Sequence, residues 1–284
     1  MAASRARNVA LIIVMCSFWA GNYFVIKNSL LYSSPIVFAL LRSAGAGVVL
    51  SLIARKELKR ITRNDVKFLL AIGFLQVTIF YIAVTTGLQT VNSSVAATLV
   101  YTQPVILVAL SPLVGERLTF FKVLGVAAAF AGVCTIFLPA LENSGLAFGD
   151  ALELIASVSW VLSILVYKTW KHSLSHYVVP GVQNAFGAVM IIPFLSVGSN
   201  FLLPVPALWL DLAYIIGFSS VFGYAVYFRA LSNMQASVFS SYLFMVPTLT
   251  TLFESILTLS LPGIYQIAGT ILVSAGIIMV NREF

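Results

Sequence analysis

The chain has 284 residues, 60% of them hydrophobic and only 9% charged, with a formal net charge of +7 and a mean hydropathy of +1.02. A soluble domain carries about 25% charged residues, so a water-soluble fold is excluded and an integral membrane protein is implied. The apolar runs are long and continuous rather than alternating in segments of ~10 residues, which argues against a β-barrel, and the positive charge falls in short connections, where it sets topology rather than marking a nucleic-acid partner.

Ten apolar spans follow in chain order, at 9–27, 35–54, 68–88, 93–114, 120–138, 149–168, 178–197, 208–229, 235–259 and 263–281. Each approaches the ~20 residues that a bilayer needs. The first carries Trp19 and Asn22, three residues apart on one helical face. Arg5 and Arg7 ahead of it resemble the start of a signal peptide, but Trp19, Asn22 and Tyr23 continue the span without a small-residue cleavage site, so it is read as a retained helix. The second span holds Arg42. A charge near the bilayer centre costs on the order of 3 kcal/mol, so Arg42 needs water, a partner or helix carbonyls. Thr78, Tyr81 and Thr85 share a face of the third span; Thr98 and Tyr101 share one in the fourth, ahead of Pro104. Gly125 and Gly132 give the fifth a small-residue face suited to close packing. The sixth carries Trp160, Ser163 and Tyr167, the seventh Gln183 and Asn184, and the eighth Tyr224 and Tyr227. In the ninth, Ser241, Phe244 and Thr248 surround Pro247, and Glu254 reads as the one acid well inside a span. Gly269 and Gly276 mark the tenth.

The second half repeats the first. Trp160 echoes Trp19, and Tyr224, Ser237-Val238 and Pro247 echo Tyr81, Ser94-Val95 and Pro104 at a single offset. Gly269 and Ala275-Gly276 echo Gly125 and Ala131-Gly132 one residue further on. Two units, 1–138 and 139–284, thus hold five spans each, and an odd number of spans places the copies in opposite orientations. Inverted repeats of this kind are a signature of secondary transporters, with the substrate site between the halves near the midplane. Orientation follows from Lys and Arg. With the N-terminus in the cytoplasm, the inner segments hold Arg5, Arg7, Arg55, Lys56, Lys59, Arg60, Arg63, Lys67, Arg117, Lys122, Lys168, Lys171, Arg229 and Arg282, against Lys27 alone outside. Both termini are therefore expected in the cytoplasm.

The polar and aromatic stripes outline a weakly polar, aromatic cavity, although each residue taken singly also fits ordinary helix packing. Pro104 and Pro247 are candidate hinges, since proline bends a helix and frees a carbonyl one turn back. Other chemistry is not supported. A phosphate-binding Gly-x-x-x-x-Gly-Lys-Ser/Thr loop is missing, so the chain is not itself an ATP-driven pump. Cys16 and Cys134 fall inside apolar spans and read as free thiols; His172 and His176 alone make a weak metal signal. No cofactor is expected. An enzyme would need catalytic groups clustered at one face, and a receptor or scaffold would not need a repeat around a polar seam.

Certain phrases resemble a known family. Phe18-Trp19-Ala20-Gly21-Asn22-Tyr23, Phe38-Ala39-Leu40-Leu41-Arg42, and Pro104 followed by Gly115-Glu116-Arg117-Leu118-Thr119 and Gly125…Gly132 look like EamA-type proteins of the drug/metabolite transporter superfamily. Within it, the chain resembles the YddG-like amino-acid exporters. The resemblance implies ten helices in two inverted five-helix halves, export across a bacterial inner membrane, and a cavity lined by spans one to four and six to nine. Span one lacks the glutamate that four-helix relatives use for proton-for-cation exchange; Asn22 is its polar residue near mid-depth.

The expected protein is thus an all-α integral membrane transporter, not an enzyme, exporting small amphipathic metabolites such as aromatic amino acids by alternating access. A drug or other metabolite is the alternative substrate, and a receptor or scaffold the alternative role. Trp19, Asn22, Arg42, Thr78, Tyr81, Tyr101, Trp160, Ser163, Gln183, Tyr224 and Phe244 are the expected substrate-contacting residues. Its expected partners are the substrate and the bilayer, with the chain a monomer or weak homodimer. Glu254, near the outer end of its span, is not expected to be strictly required for transport, and substrate is expected to move down its own gradient.

Overall fold

The computed structural model describes residues 2–141, 148–257, 259, 261 and 263–281, and at 2–6, 94, 137, 139–141 and 254 it describes the backbone only. Arg282, the segment 142–147 and the side chain of Glu254 therefore lie outside the described residues.

Helices dominate, because apolar backbone in a bilayer must satisfy every N–H and C=O within its own segment. They are α1 (Ala2–Ser29), α2 (Pro35–Ile53), α3 (Arg63–Gly87), α4 (Ser93–Val100 and Gln103–Leu110), α5 (Phe120–Leu141), α6 (Phe148–Thr169), α7 (Val178–Ile191), α8 (Pro206–Asn233), α9 (Ala236–Leu243 and Met245–Leu257) and α10 (Ile264–Asn281). Nine described helices are long and apolar enough to cross a membrane, and the stretch Phe120–Ile136 of α5 is a shorter apolar one. The chain is a multi-pass membrane protein. Local chemistry sets the helix ends. Pro35 and Pro206 open α2 and α8, where a missing N–H costs nothing. Thr62 and Asp65 form a reciprocal cap on α3, with Thr62 N donating to Asp65 Oδ2 at 2.9 Å and Asp65 N to Thr62 Oγ1 at 3.2 Å.

Four helices are irregular, at corresponding places in the two halves. A π-helical segment interrupts α3 at Phe74–Ile79 and α8 at Ile215–Phe222. Breaks interrupt α4 after Val100 and α9 after Leu243. Each break stands one turn before a proline, Pro104 or Pro247. Proline has no N–H for the carbonyl four residues back and its ring crowds that carbonyl, so the first half-helix ends at that residue.

The helices pack in antiparallel glycine-lined pairs. A Cβ on Gly125 would lie 2.8 Å from Gly276 O, and one on Gly132 2.6 Å from Gly269 O, so α5 and α10 run in opposite directions with their backbones nearly touching. Gly47 meets Ala185 N at 2.7 Å and Gly181 meets Ser51 N at 3.0 Å in the same sense, pairing α2 with α7. The connections are tied together at each end of the bundle. At the Lys/Arg-rich end, the Glu116 carboxylate caps α9, accepting from Ser237 N at 3.1 Å and also from Ala236 N and Ser237 Oγ. Lys122 Nζ donates to Gln235 Oε1 at 2.6 Å, and Lys168 Nζ to Met234 O at 2.7 Å. At the opposite end, Leu203 N donates to Tyr32 O at 2.7 Å, Ser34 N to Phe201 O at 3.0 Å, and Lys27 Nζ to Val91 O at 2.7 Å.

Candidate functional site

Two indoles meet at the centre. Trp19 and Trp160 pack edge to face with centroids 5.6 Å apart, and Trp160 stacks on Tyr224 at 6.2 Å and 16°. The Tyr81 and Tyr224 hydroxyls are 2.6 Å apart and join α3 to α8 across the bundle. Arg42 is buried with its guanidinium carbon 3.9 Å from the Tyr81 ring centroid, a cation–π contact that offsets part of the cost of burying the charge. These side chains surround a cavity also lined by Asn22, Tyr23, Ile26, Phe80, Val84, Tyr101, Gln103 and Ser219. Its free volume is about 50 Å³. A water needs ~10–15 Å³ by the same measure, so the space suits a few waters, and a larger guest requires the walls to part.

Towards the Lys/Arg-rich end, a cluster of aromatic rings packs below Tyr81 and Tyr224. Tyr227 packs on Phe228 at 4.9 Å, Phe228 on Tyr167 at 5.2 Å, and His172 stacks on Phe68 at 4.5 Å and 18°. Burial pushes the His172 imidazole below its usual value, opposed by the nearby Asp65 carboxylate. His176 packs on Tyr177 instead. Among the described residues no three His, Cys, Asp or Glu side chains are grouped to hold a metal.

Of the residues singled out in the sequence, Trp19, Asn22, Arg42, Tyr81, Tyr101, Trp160 and Tyr224 share this cavity. Four do not. Thr78 donates to Gly187 O at 3.2 Å, bonding α3 to α7. The Phe74–Ile79 segment turns with the wider period of a π-helix, which rotates Thr78 off the face that 3.6-residue spacing would give it with Tyr81. Ser163 donates to Trp160 O of its own helix at 2.7 Å. Gln183 is fully buried behind the cavity wall, and Phe244 is fully buried at the α9 break. The same irregularities bring in residues that helical spacing passes over. Gln103 follows the α4 break, and Ser219 lies in the π-segment of α8, where its carbonyl accepts from Trp19 Nε1 at 3.0 Å and its hydroxyl from Asn22 Nδ2 at 2.7 Å. Pro104 and Pro247 stand beside the breaks rather than in the cavity.

The cavity's unspent hydrogen-bonding atoms have a definite pattern. Arg42 Nε and Trp160 Nε1 are donors without a partner, and Asn22 Oδ1 and Gln103 Oε1 are acceptors without one. Among the described residues no carboxylate lines the space. A second correction concerns acids: Glu254 is not alone within the spans, since Glu153 of α6 is fully buried.

Comparison with known proteins agrees with this architecture. Residues 7–138 and 147–282 each match the EamA-like transporter family. An uncharacterized transporter of Archaeoglobus fulgidus is 30% identical over 94% of this chain and 96% of its own length. The uncharacterized transporter YvbV of Bacillus subtilis is 27% identical over 98% of this chain and 93% of its own, and the uncharacterized inner membrane transporter YedA of Escherichia coli K12 is 27% identical over 82% and 77%. One crystal structure superposes with a TM-score of 0.76 over 97% of this chain and 96% of its own, at 16% identity, a likeness of fold alone.

Proposed function

The chain belongs to the EamA-like transporter family, and from that premise we propose that it is a secondary transporter, not an enzyme, that exports amino acids, aromatic ones included, across a bacterial inner membrane, as the YddG-like exporters it resembles do. The observation that carries the substrate class is the set of unspent atoms in the cavity. Two donors, the cationic Arg42 Nε and the indole Trp160 Nε1, suit an α-carboxylate; two amide acceptors, Asn22 Oδ1 and Gln103 Oε1, suit an α-ammonium; and the indole and phenol rings suit an apolar or aromatic side chain. A buried polar atom without a partner is costly, so a ligand that satisfies these four supplies what the cavity's own side chains do not. A lipophilic dication would need carboxylates, and among the described residues none lines the space.

Two units, 1–138 and 139–284, related as inverted repeats would rock about this site by alternating access, opening it to each side in turn. The antiparallel packing of the equivalent helices α5 and α10 supports that relation, as do the matched π-segments, the matched breaks and the two family matches. Pro104 and Pro247 would serve as hinges at the breaks. The cavity is complete within one chain, which suits a monomer or weak homodimer.

The test is reconstitution into liposomes with counterflow of labelled L-phenylalanine and L-tryptophan. Trp160→Ala should lower flux by roughly 2- to 10-fold, the worth of a lost ring contact, while thermal stability in detergent stays near wild type. Phenylalaninamide and 3-phenylpropionate, which lack the carboxylate and the ammonium respectively, should compete poorly. Equal competition by either would refute zwitterion recognition.

A further inference from the structure

We propose that Glu153 is the proton-carrying group of this transporter and couples a proton gradient to substrate movement. The inference rests on the transport reading above.

Glu153 and Trp160 are seven residues apart on α6, two turns on one helical face, or about 10 Å along the axis. Trp160 lines the cavity. Glu153 therefore stands on the same side of α6, displaced towards the Ser33/Leu202 end of the bundle. Its side chain has no exposed surface, and neither Oε1 nor Oε2 has a hydrogen-bond partner. The opposing wall is the end of α3, where a Cβ on Gly87 would lie 2.6 Å from Oε1. Only a glycine leaves room there for the carboxyl.

Among the described residues the surroundings offer no countercharge. Asp150 shares the helix, and Tyr23 lies within electrostatic range on α1. Arg42 on α2 is turned onto the Tyr81 ring, and Lys27 at the end of α1 donates to Val91 O. A carboxylate enclosed without partner or water is strongly disfavoured, whereas a neutral carboxyl is tolerated. A purely structural role would ask for the second partner that this group lacks. The enclosed conformation thus holds the acid form, and a conformation that admits water to Glu153 allows ionisation.

The cycle balances. With α6 open to the outer side, the carboxylate takes a proton from water and an O–H bond forms. After the halves rock, that bond breaks and the proton passes to water on the inner side; substrate then binds there, and the return stroke carries it outward. One carboxyl carries one proton per cycle.

The experiment uses the full chain in proteoliposomes, tritiated L-phenylalanine, and Glu153→Gln and Glu153→Asp beside wild type. Counterflow and accumulation driven by an imposed pH gradient are measured separately, and infrared difference spectra at neutral pH record the carbonyl stretch of protonated carboxyls. The expected result is counterflow in all three proteins and pH-driven accumulation in wild type. That accumulation should persist in part in Glu153→Asp and be lost in Glu153→Gln, and a protonated-carboxyl band should vanish in Glu153→Gln. Undiminished pH-driven accumulation in Glu153→Gln, an unchanged infrared band, or accumulation driven by sodium instead of protons would overturn the coupling and leave transport standing. Absence of counterflow in wild type would overturn the transport reading, and the coupling with it. Should Glu153→Gln not fold, a wild-type spectrum without a protonated-carboxyl band at neutral pH decides against the proposal.

Discussion

A single imidazole makes the aromatic cluster at the Lys/Arg-rich end sensitive to acid. His172 lies between Phe68 and Tyr167 in the connection from α6 to α7, and burial holds its proton affinity below the usual value despite the pull of Asp65. The sign follows from linkage. The unfolded or opened state takes up the proton first, so the stabilisation is full above the unfolded value of about 6.5 and is lost as pH falls through it. Thermal stability in detergent should therefore drop between pH 7.5 and pH 5, and His172→Phe should flatten that dependence; an unaltered slope in the variant assigns the effect elsewhere. Other residues differ in how much of their environment the sequence reveals. Trp19, Trp160, Tyr81 and Tyr224 are legible because each has a counterpart in the other half, and all four meet in one cavity. Glu153 is not legible. It follows Asp150 near a span end, where an acid reads as solvated, and only the packing of Gly87 against it reveals the enclosure.

Helix extents can be read from hydropathy because the bilayer imposes length; helix irregularities cannot. Spacing arguments assume 3.6 residues per turn, and the π-segments at Phe74–Ile79 and Ile215–Phe222 break that assumption in the two helices that carry Tyr81 and Tyr224. Thr78 leaves the cavity face and Ser219 joins it for this reason. The breaks in α4 and α9 were better signalled, since Pro104 and Pro247 announce them, but the rotation that exposes Gln103 to the cavity is a tertiary outcome. The glycine faces of α5 and α10 were announced, those of Gly47 and Gly181 on α2 and α7 were not, and the α5–α10 pair makes a sharp prediction. Gly132→Ala places a methyl 2.6 Å from Gly269 O, a backbone atom that cannot rotate away. Overpacking of this kind costs about 1–3 kcal/mol, so the variant should unfold earlier in a detergent melt, whereas Gly217→Ala, where a Cβ meets nothing within 4 Å, should not. Equal melts would mean that α5 and α10 separate without cost.

For the whole molecule, the two ends of the bundle are chemically distinct, and that distinction predicts sidedness. The connections cross-linked by Glu116, Lys122 and Lys168 share an end with Arg55, Lys56, Lys59 and Arg60, while the paired Tyr32–Ser34 and Phe201–Leu203 segments mark the other. Lys and Arg in short connections are retained in the cytoplasm during insertion, so the basic end should face inward. The aromatic cluster formed by Tyr227, Phe228, Tyr167 and His172 lies at that same end. In that orientation this ring cluster would stand on the cytoplasmic side of the cavity. Single cysteines at Ser199 and Asn64, both exposed, test this in a background with Cys16 and Cys134 replaced by alanine. A membrane-impermeant maleimide added to intact cells should label Ser199→Cys and spare Asn64→Cys until the membrane is opened. The reverse pattern would place the basic end outside, and the ring cluster would then stand on the outer side of the cavity rather than the inner one.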